Sequence, residues 1–71
     1  MAIIKEIKIK DEYVNLGQFL KLADLVSSGG EAKAFLAVNK ILINKEEDNR
    51  RGRKLYRNDV IEIGTEVYRI C

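Results

Sequence analysis

Four cationic side chains stand within five residues of one another in the second half of the chain: Arg50, Arg51, Arg53 and Lys54. The stretch from residue 49 to 58 has no acidic residue, although an acidic run at residues 46–48 directly precedes it. Guanidinium groups can bond two phosphate oxygens at once and can also stack on unpaired bases. Gly52 lets a phosphate approach the backbone closely. The pattern predicts a phosphate-binding loop, although many charged loops are only solvated surface.

A second candidate anion site is the Gly29-Gly30 pair, where a helix is expected to begin. The free amide groups and the positive dipole end of a helix N-terminus attract anions. Lys21 and Lys33 are expected to flank this point from two helices. The pair also fits an ordinary sharp turn between those helices, and the two interpretations are compatible.

Composition argues against catalysis. The 71 residues contain no histidine, so the usual general base and the commonest metal ligand are absent. The single cysteine, Cys71, can form neither an intramolecular disulfide nor a multi-thiolate zinc site. A net charge of +2 is too small to indicate a nucleic-acid partner by itself. We expect no enzyme activity, no cofactor and no metal.

A first helix is predicted from Leu16 by apolar residues at intervals of three and four. They lie on one face: Leu16, Phe19, Leu20, Ala23 and Val26. Asn15 is its expected N-cap, and Gln18 and Lys21 fall on the opposite face.

A second helix is predicted to follow the glycine pair. Ser28 and Glu31 have the S-x-x-E spacing of a capping box, in which each side chain satisfies a backbone donor of the other. Its buried stripe consists of Ala32, Phe35 and Leu36. Asn39 is expected to end the helix in the left-handed conformation.

Strands are predicted around the helices. An opening strand is indicated by Ile7 and Ile9, which alternate with Lys8 and Lys10, and Ile3 and Lys5 fit the same period of two. Four later segments have strand character: Ile41–Ile43, Lys54–Tyr56, Val60–Ile63 and Glu66–Ile70. Turns are expected at Asn58-Asp59 and Gly64-Thr65. The order of strand, two helices and β-meander predicts an α+β fold, with two short helices beside a small, mostly antiparallel sheet.

Several segments together resemble the S4-type RNA-binding domain, also called the alpha-L motif. They are LGQFLK at 16–21, SGGEAK at 28–33, ILIN at 41–44, RRGRKL at 50–55 and Asp59-Val60, so the motif core spans about 15–63. FLKLADLVSSGGEAK together with NRRGRKL is similar more narrowly to the YaaA group of small standalone bacterial members.

The resemblance implies a non-catalytic protein whose helix pair and basic loop bind structured RNA. The expected partner is ribosomal RNA, transfer RNA or a ribosomal subunit, in assembly or translation. The predicted RNA-binding residues are Lys21, Ser28, Gly29, Gly30, Lys33, Asn44, Arg50, Arg51, Gly52, Arg53 and Lys54. Ser28 also fits a helix cap, and Asn44 also fits the start of a turn.

The chain departs from the family pattern at several positions. An arginine often precedes the first leucine, where this chain has Asn15, and Gly29 replaces the arginine of a serine-arginine pair. Glycines common elsewhere in the family are replaced here by Asn39, Lys45 and Asn58. Asparagine tolerates positive φ, so the two asparagines are expected to preserve the backbone, whereas lysine is poorly suited to it.

A protein-interaction module is the alternative function. Its surface would be the edge of the sheet at the last strand, Glu66–Ile70, or the charged hairpin at residues 46–53. Tyr56 could stack on a base, but a packed sheet position is favoured, and Tyr13 has no functional signal.

We expect a single RNA-binding domain over residues 1–71, monomeric and cytoplasmic. The apolar run at residues 2–4 is too short for a signal peptide or for a membrane span, which needs about 20 residues.

Overall fold

A five-stranded sheet, a two-stranded sheet and two helices make up the computed structural model, which describes residues 3–71. The start of the predicted domain and of the apolar run at 2–4 therefore lies outside the described residues. The elements are β1 (Ile4–Ile7), β2 (Tyr13–Asn15), α1 (Leu16–Leu22), α2 (Gly29–Val38), β3 (Ile41–Ile43), β4 (Glu46–Glu47), β5 (Lys54–Tyr56), β6 (Val60–Ile63) and β7 (Glu66–Ile70). The predicted α+β class is confirmed.

The larger sheet has the strand order β1-β7-β6-β3-β4. All neighbours are antiparallel except β1 and β7, which run parallel, with Ile4 opposite Val67. The last strand is therefore paired on both sides, and its backbone is not free to accept a partner strand. The expectation that Glu66–Ile70 forms a sheet edge is wrong, because β1 pairs with its outer side.

The smaller sheet pairs β2 with β5, with Val14 opposite Leu55. The sequence predicted β5 but placed it in a meander with the later strands, and it did not predict β2. Val14 and Leu55 are buried in the core, so the packing of these two side chains anchors the two-stranded sheet to the rest of the protein. Strand β5 begins directly after Arg53, so its pairing with β2 fixes the end of the arginine-rich segment.

Helix α1 ends at Leu22, four residues before the predicted limit. Asp24 adopts a φ of 62°, its N–H donates to the Lys21 carbonyl at 3.0 Å, and the Leu25 N–H donates to the Leu20 carbonyl at 2.9 Å. These two bonds are those of a Schellman motif, which ends a helix through one left-handed residue. Val26 is buried as predicted, although it lies in the connection and not in the helix.

Helix α2 begins with half of the predicted capping box. Ser28 Oγ accepts from the Glu31 N–H at 3.2 Å, but the Glu31 carboxylate accepts from the N–H and hydroxyl of Ser27, each at 2.9 Å. At the other end, Asn39 is extended at a φ of −119°, so the left-handed prediction is wrong. Its side-chain amide instead donates to the Phe35 carbonyl at 3.0 Å, which satisfies an end-of-helix acceptor without positive φ.

Three of the non-glycine residues with positive φ lie in turns between strands. Asn44 and Lys45 have φ values of 52° and 74° and form the two-residue connection between β3 and β4. Two such residues match the twist of a β-hairpin, which explains why Lys45 adopts a conformation that lysine disfavours. Asn58, with φ 78°, confirms the expectation that it preserves a glycine-like backbone.

One core unites both helices and both sheets: Val14, Leu16, Phe19, Leu20, Val26, Ala32, Leu36, Ile41, Ile43, Leu55, Ile61, Ile63, Tyr68 and Ile70. Phe35, predicted as core, is half-buried and packs against it. Over the part of the chain that the structure describes, neither helix has the length and apolar content needed to cross a membrane.

Candidate nucleic-acid interface

The basic loop, defined here as residues 48–53, is attached through its backbone to the start of α1. The Leu16 N–H donates to the Arg53 carbonyl at 2.8 Å, and the Gly17 N–H donates to the Arg51 carbonyl at 3.0 Å. Asn15 occupies the predicted N-cap position, but its side chain makes no capping bond. Carbonyls of the loop thus satisfy two of the unpaired N–H groups at the start of the helix, of which that of Gly17 is one that an N-cap side chain can serve. The cations of the loop therefore have a defined position relative to both helices.

The first result of this attachment is an open groove between the loop and the helices, here called the helix groove. It is lined by Asn15, Gly17, Gln18, Lys21, Gly29, Ala32, Arg51 and Gly52. Four of the predicted RNA-binding residues thus come together from three segments of the chain. A Cβ at Gly17 would contact Arg51, with Cβ at 3.6 Å and the carbonyl oxygen at 3.7 Å, so helix and loop are closely packed there.

A second open groove lies on the other side of Gly52 and is here called the loop groove. Its lining residues are Asn44, Arg50, Gly52, Arg53, Lys54, Tyr56 and Asp59. Gly52 belongs to both grooves, so they adjoin at the tip of the loop. Together they form a continuous surface that contains eight of the eleven predicted residues. Ser28, Gly30 and Lys33 line neither groove.

Asp48 pairs with two of the arginines. Its Oδ2 accepts from Arg50 Nη2 at 2.8 Å and from Arg53 Nη1 at 3.0 Å, and its Oδ1 accepts from the Arg50 backbone N–H at 3.0 Å. The Asp48 side chain is 10% exposed and that of Arg50 is 72% exposed. One carboxylate therefore orders the loop and neutralises part of its positive charge.

The same bonds keep Asp48 ionised. Hydrogen bonds from the side chain and backbone of Arg50, with a further one from Arg53, hold the pKa of the Asp48 carboxyl well below its usual range. The Asp48 carboxylate in turn raises the pKa of the Arg50 guanidinium. Because the folded-state pKa is depressed, this ion pair stabilises the fold at any pH above the ordinary carboxyl range. Its contribution is lost only as the pH falls toward the lowered value.

Of the predicted residues outside the grooves, Ser28 has a local structural role. Ser28 caps α2, and the Glu31 carboxylate lies at that helix start, where its hydrogen bonds from Ser27 lower its pKa. Lys33 is exposed on α2, next to Ala32 of the helix groove. The assignment of Ser28, Gly30 and Lys33 to RNA stays a prediction.

Asn44 lines the loop groove, but both ends of its side chain are engaged. Its Nδ2 donates to Asp59 Oδ1 at 3.1 Å, and its Oδ1 accepts from the Val60 N–H at 3.0 Å. These bonds connect the β3–β4 turn to the start of β6. This observed role is structural, and contact of Asn44 with RNA stays a prediction.

Sequence reasoning did not place Gly17 and Gln18 on this surface, and it did not place Tyr13 beside Tyr56. Gly17 and Gln18 were seen only as helix positions, and the spacing within α1 does not show which loop covers its first turn. Tyr13 lies opposite Tyr56 because β2 pairs with β5, a contact across about forty residues. In the sequence, β2 could have been recognised only from one apolar residue, Val14, between the more polar Tyr13 and Asn15.

Within residues 3–71 no cluster of three or more histidine, cysteine, aspartate or glutamate side chains is placed to hold a metal ion.

Two comparisons with known proteins bear on this surface. The model of a family described as the S4 domain matches residues 7–71. A Bacillus subtilis (strain 168) protein named probable ribosome maturation protein RlbA is 61% identical over 57 residues, which are 80% of this chain and 80% of that one. The family match includes all the residues that line the two grooves.

Proposed function

Because the chain belongs to the S4 domain family, we propose that it is a non-catalytic protein that binds structured RNA. The RNA lies across the helix groove and the loop groove. The protein acts as one RNA-binding domain over residues 1–71, with its motif core at about 15–63, and as a cytoplasmic monomer.

The observation that carries the proposal is the attachment of the basic loop to the start of α1. The bonds from Leu16 and Gly17 to loop carbonyls bring Arg51 beside Lys21 and Gly29. Cations from separate segments then face one surface, which can neutralise consecutive phosphates of a folded RNA. Such neutralisation releases condensed counterions and supplies much of the affinity of proteins for nucleic acids.

The glycines of this surface support close approach by a phosphate. A Cβ added at Gly29 or Gly52 would meet no heavy atom within 4 Å, and neither residue has positive φ. Neither packing nor backbone conformation therefore explains glycine at these two positions. An open side toward solvent lets a phosphate oxygen reach the backbone amide, as in other anion-binding loops.

Ribosomal RNA, free or within a ribosomal subunit during assembly, is the proposed partner in preference to transfer RNA. The support is the name of the Bacillus subtilis relative, a probable ribosome maturation protein.

A salt titration tests the proposal. Fragments of ribosomal RNA are titrated with the protein by fluorescence anisotropy at about 50 to 400 mM salt. If four phosphates are neutralised, log K falls by about 3 units per tenfold increase in salt. Absence of binding by the folded protein, or an affinity independent of salt, would contradict the proposal.

Asp48→Asn is expected to tighten RNA binding a few-fold and to steepen the salt dependence by up to about 0.7 units. The carboxylate competes with phosphate for Arg50 and Arg53, whereas an asparagine Oδ1 can still accept from the Arg50 N–H. The measurement is the same anisotropy titration.

Glu66→Gln is the matched control, since it removes one negative charge from β7, which two strands of the sheet separate from β4, and where Glu66 pairs with Lys5. It is expected to change RNA affinity little. Weaker binding by the Asp48→Asn variant would show that the order imposed by the ion pairs outweighs the charge they neutralise.

A further inference from the structure

Two tyrosines lie side by side on the outer face of the small sheet. Tyr13 of β2 is opposite Tyr56 of β5, with ring centroids 5.8 Å apart and ring planes at 50°. They are 41% and 46% exposed, whereas Tyr68 is 3% exposed and packs edge-on against Phe19. Val14 and Leu55 fill the core from the inner face of this sheet, so the two exposed rings are not part of the core.

Positive charge adjoins these rings. Lys54 Nζ lies 4.9 Å from the centre of the Tyr13 ring, and Lys54 and Tyr56 line the loop groove together with Arg50 and Arg53. An aromatic surface and a phosphate-binding surface are therefore continuous. A cross-strand pair that served only to stabilise the sheet would need neither the neighbouring cations nor the groove.

An unpaired nucleotide presents the two features that this surface matches, a flat π face and flanking phosphates. Aromatic side chains and arginines bind splayed-out bases in this way, whereas the bases of a duplex are stacked and covered. We propose that Tyr13 and Tyr56 form a stacking platform for an unpaired base, while the basic loop holds the adjoining phosphates. The platform rests on the proposed RNA-binding function and specifies its substrate class: RNA with an unpaired nucleotide beside a structured region.

The test uses two RNA hairpins with the same stem, one with an adenosine loop and one with an abasic loop that retains every phosphate. Wild type is compared with Tyr13→Leu and Tyr56→Leu, which keep an apolar side chain without a π face, and with the matched Tyr→Phe variants. Wild type is expected to bind the adenosine loop about fivefold or more tightly than the abasic loop. Each leucine variant loses about fivefold on the adenosine loop and nothing on the abasic loop, while the phenylalanine variants bind like wild type.

Salt dependence separates this inference from the proposed function. Stacking involves no counterion release, so the leucine variants keep the slope of log K against log salt. Equal binding of both hairpins by wild type, or an equal loss on both by the leucine variants, would overturn the platform and leave RNA binding intact. Failure of wild type to bind either hairpin would overturn both. If a leucine variant does not fold, the wild-type comparison of the two hairpins still tests the platform, with the same two outcomes.

Discussion

Replacement of both Arg50 and Arg51 by alanine is expected to weaken RNA binding roughly tenfold or more at about 50 mM salt. Two lost phosphate contacts would also reduce the slope of log K against log salt by about 1.4 units. Arg50 has a 72% exposed side chain on the loop groove, and Arg51 lines the helix groove, so the pair samples both halves of the surface. Fluorescence anisotropy over a range of salt concentrations measures both quantities.

This choice of arginines keeps the loop folded. Arg53 is retained because its 3.0 Å pair with Asp48 then still satisfies a carboxylate that is only 10% exposed. The loop carbonyls that bond Leu16 and Gly17 belong to the backbone and remain in place.

The matched control is the double variant Lys5→Ala with Arg69→Ala, which removes the same two positive charges. These residues lie on β1 and β7, at the opposite side of the five-stranded sheet from β4, and pair with Glu66 and Glu6. Exposed pairs of this kind contribute little to stability. An equal loss of RNA affinity in the test and control variants would show that net charge alone drives binding, and would contradict the assignment to the basic loop.

Phe19→Ala is expected to destabilise the fold strongly. Phe19 is fully buried and packs edge-on against Tyr68, with ring centroids 5.4 Å apart. Truncation of a buried phenylalanine costs about 3–5 kcal/mol. A domain of 71 residues has a free energy of unfolding of roughly 4–11 kcal/mol. The substitution therefore removes at least about a quarter of the free energy of unfolding.

Thermal and urea unfolding followed by circular dichroism measures this effect. Leu22→Ala is the control in the same helix, because Leu22 is 51% exposed and its truncation leaves no buried cavity. It is expected to change the free energy of unfolding by under about 1 kcal/mol. A Phe19→Ala variant as stable as the Leu22→Ala variant would contradict the central position of Phe19 in the core.

Local features of the fold were predictable from the sequence. The alternation in Glu66–Ile70 and the three-and-four spacing after Leu16 depend only on neighbours a few residues away, and both elements are observed. Helix ends were less predictable. The Schellman turn uses Asp24 where glycine is usual, and Asn39 ends α2 through its side chain. Neither helix end has the glycine that normally marks such an end in a sequence. Backbone hydrogen bonds stabilise the turn at Asp24, and a side-chain hydrogen bond stabilises the end at Asn39.

For the site, the sequence determined the chemistry. It contains clustered arginines around Gly52, a glycine pair at a helix start and no histidine. It did not determine which residues share a surface. Only the tertiary structure placed Arg51 against Gly17, paired Asp48 with two arginines and brought Tyr13 beside Tyr56.

The physical reason is the range of the interactions. Side-chain periodicity and capping act within a few residues, so they can be recognised in the order of amino acids. Pairing of β2 with β5 and of β1 with β7 joins segments about forty and sixty residues apart, and burial of the inner faces selects it. The positions of the charged residues along the chain are therefore known from the sequence, whereas the surface that they share forms only when the chain folds around its core.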